Sequence, residues 1–248
     1  MNRLQAELQR LYISHDAERQ DPGSGELGLI GPDGRVRAMV LELARPASWD
    51  GLAPVWRGVQ VDLELPAPAI AVSGIDGYQL WFSLAEPVPV AQAIAFLESL
   101  RRRYLGDVSQ ERIGMHPSVG ASAPGQARHV RMVPPVEGAP GRWSAFVAPD
   151  LAALFADEPW LDLPPGPDAQ ADLLSRLERT KPDDWERALE RLRPVSTPGV
   201  PQTPAAAADR PDPRRFLLEI MNDRAIELHL RIEAAKALLP YFEGRSPP

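Results

Sequence analysis

Residues 69–104, AIAVSGIDGYQLWFSLAEPVPVAQAIAFLESLRRRY, decide the fold, because their pattern changes from strand to helix within one continuous stretch. AIAVSG and GYQLWFSL are short apolar runs typical of buried strands, and Gly74 and Gly77 lie in the turn between them. The next residues repeat at helical spacing, with Gly106 at the end as a C-cap. The apolar stripe of this helix comprises Val90, Ile94, Leu97, Leu100 and Tyr104. The stretch therefore predicts a strand, a tight turn, a second strand and a long helix.

The flanking sequence extends this pattern into an α+β domain. Residues 26–31 and 36–43 predict two strands joined by a Pro-Asp-Gly hairpin turn, and Ser48 begins a helix over 48–60 as its N-cap. Further strands are predicted as a pair around EGAPG, at residues 127–135 and 142–148. Leu4, Leu8, Leu11 and Tyr12 fall on one face of a helix at the start of the chain, and further helical patterns occupy residues 150–157, 170–180 and 183–192. We therefore expect a mixed or antiparallel sheet flanked by helices, within residues 1–193.

The sequence after Arg193 changes in character, and it predicts a linker and a tail. Residues 194–213 contain six prolines without apolar periodicity, which is typical of an extended or disordered linker. Residues 214–248 predict a short helix, an Asn-Asp break and a longer helix. This helical hairpin is too small to bury its apolar faces alone, so we expect it to dock, to self-associate or to fold on a protein partner. Its segments FLLEIMND and LRIEAAKALLPY resemble part of the small terminase subunits of phages.

Composition excludes several classes of function. The 248 residues are 44% hydrophobic, which is enough for a globular core, and they include no cysteine, so disulfides and thiolate sites are excluded. The net charge of −7 argues against indiscriminate coating of nucleic acid. No P-loop, GxSxG elbow or HExxH pattern is present. No apolar run approaches the length of a membrane span, so we expect a soluble cytoplasmic protein.

Residues 65–94, LPAPAIAVSGIDGYQLWFSLAEPVPVAQAI, resemble the archaeo-eukaryotic primase superfamily, the primase-polymerases of replication systems and mobile elements. That superfamily has a strand that ends in Ser-Gly, then a glycine, then a histidine that opens a strand. The resemblance implies that Ser73, Gly74 and Gly77 turn the backbone beside a bound nucleotide, and that the next polar residue contacts its phosphates. Here that residue is Gln79, which cannot carry a charge. An ordinary turn between strands is an equally weighted interpretation of this motif.

The carboxylates that the resemblance implies are incomplete. The superfamily holds Mg²⁺ or Mn²⁺ with two alternating carboxylates on one strand, but here only Glu42 is present and its i+2 neighbour is Ala44. Asp107 is the candidate for the third carboxylate, which is expected on the strand after the long helix. Asp62 and Glu64 also alternate. Because they come directly before the Pro-rich segment LPAPA, we interpret them as surface charges and not as metal ligands. For Glu42 itself, a salt-bridged carboxylate at a strand end is the leading alternative to a metal ligand.

His129 and Arg131 would share one face of their predicted strand. The resemblance implies that this pair lines a phosphate site, and the alternative is that the strand is basic and exposed to solvent. The remaining histidines are widely spaced, which argues against a zinc site.

Two hypotheses of function follow. The first is a degenerate primase-polymerase-like protein that binds a nucleotide or DNA, and any activity it had would be nucleotidyl transfer. The second is a non-catalytic scaffold that recruits a protein through its helical tail.

Overall fold

The computed structural model describes residues 2–13, 26–27, 29–118, 130–131, 133, 137–193 and 228–238. The chain divides into two compact units, residues 1–195 and 196–248. The strands are β1 (Glu26–Leu27), β2 (Arg35–Ala44), β3 (Ala69–Val72), β4 (Gly77–Pro89), β5 (Ile113–His116), β6 (Val130–Arg131), β7 (Glu137–Ala139), β8 (Arg142–Trp143) and β9 (Ala145–Val147). The α-helices of the described residues are α1 (Arg3–Leu11), α2 (Trp49–Val61), α3 (Val90–Tyr104), α4 (Pro167–Ser175), α5 (Pro182–Leu192) and α6 (Leu228–Leu238).

The first unit is built on a five-stranded sheet with the order β5-β2-β4-β3-β9, in which every neighbouring pair is antiparallel. Because successive side chains of a strand point to opposite faces, the central strands supply apolar residues to two separate cores. The α+β class and the antiparallel sheet expected from the sequence are therefore confirmed.

The first core lies between the sheet and helices α2, α3 and α5. It contains Leu41 and Leu43 from β2 and Leu80 from β4, all fully buried. Phe96 of α3 connects the layers, since its ring lies 4.5 Å from that of Trp185 on α5. The buried face of α3 comprises Ala93, Phe96, Leu97 and Leu100.

The second core lies on the opposite face, under α1 and α4. Trp81 of β4 is its largest side chain, and Tyr12 packs against it edge to face at 5.2 Å between ring centroids. Gln170 of α4 is buried here and bonds to the backbone of β9: its side-chain oxygen accepts the N–H of Phe146 at 2.8 Å. Its amide group donates to the carbonyl oxygen of the same residue at 2.9 Å.

Local signals in the sequence account for where several elements begin. Ser48 is the N-cap of α2, and its hydroxyl oxygen accepts the N–H of Gly51 at 3.1 Å. The predicted hairpin turn is also present, since Gly34 has φ +71° and Ile30 bridges to Val36. The N-cap and the turn are therefore confirmed, but the strand predicted at 26–31 is only β1, Glu26–Leu27, and it pairs with β6 and not with β2.

Other predictions about elements need correction. Helix α3 ends at a C-cap formed by Leu105, not Gly106. The expected helix at 150–157 is a 3₁₀ helix of one turn, Ala152–Phe155. The strands predicted around EGAPG do not pair with each other: β6 pairs with β1 and β9 pairs with β3, while EGAPG itself forms the short hairpin β7–β8. A turn of this kind joins only the residues next to it, so it leaves the longer strands to find other partners.

The second unit is described only over α6. The predicted linker at 194–213 and the first helix of the predicted hairpin lie outside the described residues. Over the part of the chain that the structure describes, no helix is long and apolar enough to cross a bilayer.

Candidate functional site

The candidate site lies on the sheet face of the second core, where β2 ends and β4 begins. Glu42 of β2 is the direct cross-strand partner of Gln79 on β4 and of Gly114 on β5. Residues that are paired in this way point to the same face of an antiparallel sheet. The structure therefore brings together the two side chains, Glu42 and Gln79, that the sequence predicted from separate motifs.

Two glycines on the neighbouring strands make room for the Glu42 side chain. A Cβ atom on Gly77 would lie 2.7 Å from Glu42 Oε1, which is closer than such atoms approach. A Cβ atom on Gly114 would lie 3.3 Å from Glu42 Oε2 and 3.6 Å from Nε2 of His116. The carboxylate thus occupies a cradle between β4 and β5 that any larger residue would partly fill.

The turn at residues 73–77 is held by Ser73. Its hydroxyl oxygen accepts three backbone N–H groups, from Ile75 at 3.2 Å, Asp76 at 3.2 Å and Gly77 at 3.0 Å. The N–H of Gly74 donates to Pro159 O at 3.0 Å. The amides of this turn are therefore used within the protein, and a phosphate bound beside it would depend on side chains.

Gly74 is required at its position for two reasons. Its φ is +75°, a conformation that favours glycine. A Cβ atom there would also lie 2.8 Å from the backbone nitrogen of Ser144, ahead of β9. The two glycines of the motif thus have different purposes, since Gly74 allows the backbone to turn against a neighbouring strand and Gly77 admits the Glu42 carboxylate.

Gln79 is 4% exposed, and its side-chain oxygen accepts the indole N–H of Trp81 at 2.9 Å. A buried indole N–H normally has such a partner, so this amide orients the largest residue of the second core. Contact between Gln79 and a phosphate, as the resemblance implies, would require the side chain to leave this position.

Asp107 is not on the strand where a third carboxylate was expected. It lies in an exposed turn after α3, and α3 packs on the opposite face of the sheet from Glu42. The strand after α3 is β5, whose residues on the Glu42 face are Gly114 and His116. Sequence reasoning missed His116, although its place on the strand that follows the long helix was the available signal.

Of the other predicted positions, some have described side chains that lie away from the site, and the rest have no described side chain. Asp62 accepts hydrogen bonds from Tyr104 Oη at 2.7 Å and Arg103 at 3.2 Å, and Glu64 pairs with Arg191 at 2.9 Å. These two carboxylates therefore bind arginines rather than facing the site. His129 lies outside the described residues. Arg131 is described only as backbone, in β6, so its predicted phosphate contact stays a prediction.

Two arginines, Arg45 and Arg112, lie beside the end of β2 that follows Glu42. Arg45 donates to Glu111 O at 2.7 Å, and Arg112 donates to Pro46 O at 2.8 Å. Both partners are backbone carbonyl oxygens. Within the described residues neither guanidinium forms an ion pair with a carboxylate, so both charges remain available to an anion.

The residues do not fit a pair of Mg²⁺ or Mn²⁺ ions. Two-metal catalysis needs several carboxylates that converge on both ions. In the described part of the chain no three His, Asp or Glu side chains form a metal-binding group. On the strand beside Glu42, the positions that face the same side of the sheet are occupied by Gly114 and His116 and not by carboxylates.

A comparison of the sequence with protein-family models and with curated proteins found no match to either.

Proposed function

We propose that this chain is a primase-polymerase-like protein with an incomplete catalytic set, which binds a nucleotide or a DNA strand in replication or mobile-element biology. One observation carries the proposal: Glu42 and Gln79, taken from two separate motifs of the resemblance, are cross-strand partners on one face of the sheet. If the two motifs matched the superfamily only by chance, there would be no reason to expect Glu42 and Gln79 to lie opposite each other.

The charges around the site support an anionic ligand. Arg45 and Arg112 lie at the end of the strand that carries Glu42, and their described hydrogen bonds go to carbonyl oxygens. An arginine retains its full charge when it donates to a carbonyl, and its planar group is suited to phosphate. Because the amides of the 73–77 turn are already used, these two side chains are the expected phosphate contacts.

The binding test is a calorimetric titration of the full-length protein with nucleoside triphosphates and with single-stranded DNA at low salt. We expect binding that weakens at least tenfold when Arg45 and Arg112 are both changed to alanine. Arg57→Ala is the matched control, because Arg57 is exposed on α2, on the opposite face of the sheet. Absence of binding to any of these ligands at low salt would remove the proposal.

Catalysis is expected to be absent or very weak, because Glu42 lacks the partner carboxylates that two-metal transfer needs. A primer-synthesis assay with Mg²⁺ and with Mn²⁺ measures this. Robust template-dependent product that Glu42→Ala abolishes would show that the catalytic set is complete after all.

A second candidate function is protein recognition through the tail. The observation that favours it is Ile232 of α6, which is 47% exposed in a unit of its own. We expect a chain that ends at Pro194 to keep its thermal melt and to lose self-association in light scattering. A truncated chain that fails to fold would show that the tail belongs to the core of the first unit.

A further inference from the structure

We propose that the first unit binds a basic amphipathic helix of a protein partner on an exposed surface formed by residues 150–163, which we call the leucine–carboxylate surface. This surface lies in the segment between β9 and α4, and it shares no side chain with the candidate site at Glu42. The proposal goes beyond the proposed function and does not depend on it.

Leucines that are exposed to solvent are concentrated on this surface. Leu154 is 76% exposed, Leu163 is 75% exposed and Leu151 is 46% exposed. They are three of the five large hydrophobic side chains that are exposed over the described part of the chain. Apolar side chains scattered singly over a surface are ordinary, whereas a group of them in one short segment is typical of an interaction site.

Two of these leucines, Leu154 and Leu163, line an open hollow of about 390 Å³. Its other apolar lining consists of three half-buried side chains, those of Phe155, Trp160 and Leu161. Sites for small molecules enclose most of the ligand surface. Because this hollow is open to solvent, it is suited instead to apolar side chains that project from the surface of a partner.

The backbone under the hollow is fixed to the core of the first unit. Leu161 and Trp143 exchange two hydrogen bonds: the N–H of Trp143 donates to Leu161 O at 2.8 Å, and the N–H of Leu161 donates to Trp143 O at 3.0 Å. The buried hydroxyl group of Tyr78 donates to Ala152 O at 2.6 Å. A surface held in this way does not have to be ordered when a partner binds, which lowers the entropic cost of binding.

The charges around the hollow determine the sign of the partner. The segment carries four exposed carboxylates, those of Asp150, Asp157, Glu158 and Asp162. Within the described residues none of the four forms an ion pair. The guanidinium of Arg142 lies 3.8 Å from the ring centroid of Trp160, so a cation already stacks on the aromatic residue of the hollow. Carboxylates without ion-pair partners attract lysine and arginine, and they repel an acidic segment or the phosphates of a nucleic acid.

A basic amphipathic helix matches both features of the surface. Its apolar residues, spaced three or four apart, would enter the hollow between Leu154 and Leu163. Its lysines or arginines would pair with Glu158 and Asp162, which line the same hollow. Buried apolar residues supply most of the affinity of such an interface, whereas charges at its rim mainly affect the association rate and specificity. The leucines and the carboxylates should therefore have separable effects on binding.

The test measures the fluorescence anisotropy of a labelled peptide mixed with the full-length protein. The probe is an amphipathic peptide of about 14 residues, or four helical turns, built from leucine and lysine. A matched peptide has glutamate in place of every lysine. Salt at about 0.15 M limits diffuse attraction to a protein of net charge −7. We expect the lysine peptide to bind with a micromolar Kd and the glutamate peptide not to bind.

The double variant Leu154→Ser/Leu163→Ser tests the apolar contacts. It should weaken binding of the lysine peptide by about tenfold or more, mainly through faster dissociation. Val61→Ser is the control, because Val61 is 76% exposed at the end of α2 and does not line the hollow. It should leave binding unchanged. All three side chains are exposed, so thermal melts of these variants should match that of the wild type.

The double variant Glu158→Gln/Asp162→Asn tests the charges. It should slow association of the lysine peptide and make binding less sensitive to salt. Asp183→Asn/Glu186→Gln is the control, because it removes the same charge from two exposed carboxylates of α5. A control variant that slowed association as much as the site variant would show that only the net charge matters.

Three results would overturn the proposal. The first is the absence of binding, or equal binding of the lysine and glutamate peptides. The second is binding that the site variants weaken no more than their controls. The third comes from sedimentation velocity: self-association of the full-length protein that Leu154→Ser/Leu163→Ser abolishes and the lysine peptide does not reverse would show that a second copy covers the surface. None of these results depends on nucleotide or DNA binding, so the proposed function is tested separately.

Discussion

Gly74→Ala should be among the most damaging single-methyl substitutions in the first unit. An L-residue in the left-handed region costs about 1–2 kcal/mol. The new Cβ atom would also lie 2.8 Å from Ser144 N and 3.1 Å from the carbonyl carbon of Trp143, both of them backbone atoms. Overpacking of this kind costs about 1–3 kcal/mol. After the gain of about 0.4–1 kcal/mol from a less flexible unfolded chain, the free energy of unfolding should fall by about 1–4.5 kcal/mol.

The clashing backbone cannot move away easily. The N–H of Trp143 donates to Leu161 O at 2.8 Å, and β9 begins at the next residue but one, paired to β3. For a chain of this size, a loss of about 1–4.5 kcal/mol lowers the melting temperature by about 2–18 °C. Differential scanning calorimetry and urea unfolding would measure the two quantities.

Gly141→Ala provides the control, because Gly141 has φ +72° and no atom within 4 Å of its Cβ position. It should therefore show the conformational cost alone, about 0–1.5 kcal/mol. Equal losses of stability for Gly74→Ala and Gly141→Ala would refute the argument from close approach.

Three other substitutions test the buried polar groups. Ser73→Ala removes the acceptor for three N–H groups and should cost about 1–3 kcal/mol in urea unfolding, while Ser99→Ala, an exposed helix hydroxyl, should cost little. Gln79→Leu leaves the indole N–H of Trp81 without its acceptor and should cost a similar amount, visible as a shift of the urea midpoint followed by tryptophan fluorescence. Burial and two nearby carboxylates raise the pKa of Tyr78 to about 12, above its unfolded value of about 10, so stability should be intact below pH 10 and be lost progressively as pH rises through 12. Tyr78→Phe should fall less over the same pH range, and an identical decline would contradict that cause.

The local elements could be predicted because each depends on neighbours in sequence. Ser48 caps α2 by a bond to a residue three positions later, and the apolar spacing in residues 90–104 identifies α3. The buried face of that helix was only partly foreseen, since Ile94 is half-buried while Phe96 is fully buried. The spacing of apolar residues predicts the helix, but packing against neighbouring elements determines which side of the helix is buried.

Long-range pairing could not be predicted in the same way. The partner of β6 is β1, about a hundred residues earlier, and no local pattern encodes that register. The same reason explains the candidate site. Glu42 and Gln79 were found because a resemblance connected them, whereas His116 depends on the pairing of β5 with β2, which becomes visible only in the folded sheet.

Gln170 has a consequence for how this molecule behaves beside copies of itself. An edge strand with open N–H and C=O groups is a template on which another chain can add a strand, and fibres grow by repeating that step. On β9, both outward groups of Phe146 are taken by the side chain of Gln170. A side-chain amide carries the same donor and acceptor as a peptide group but has no backbone that continues. The Gln170 amide therefore takes the place of one residue of a further strand beside β9. Because no backbone continues from this amide, it leaves no edge to which another strand could add.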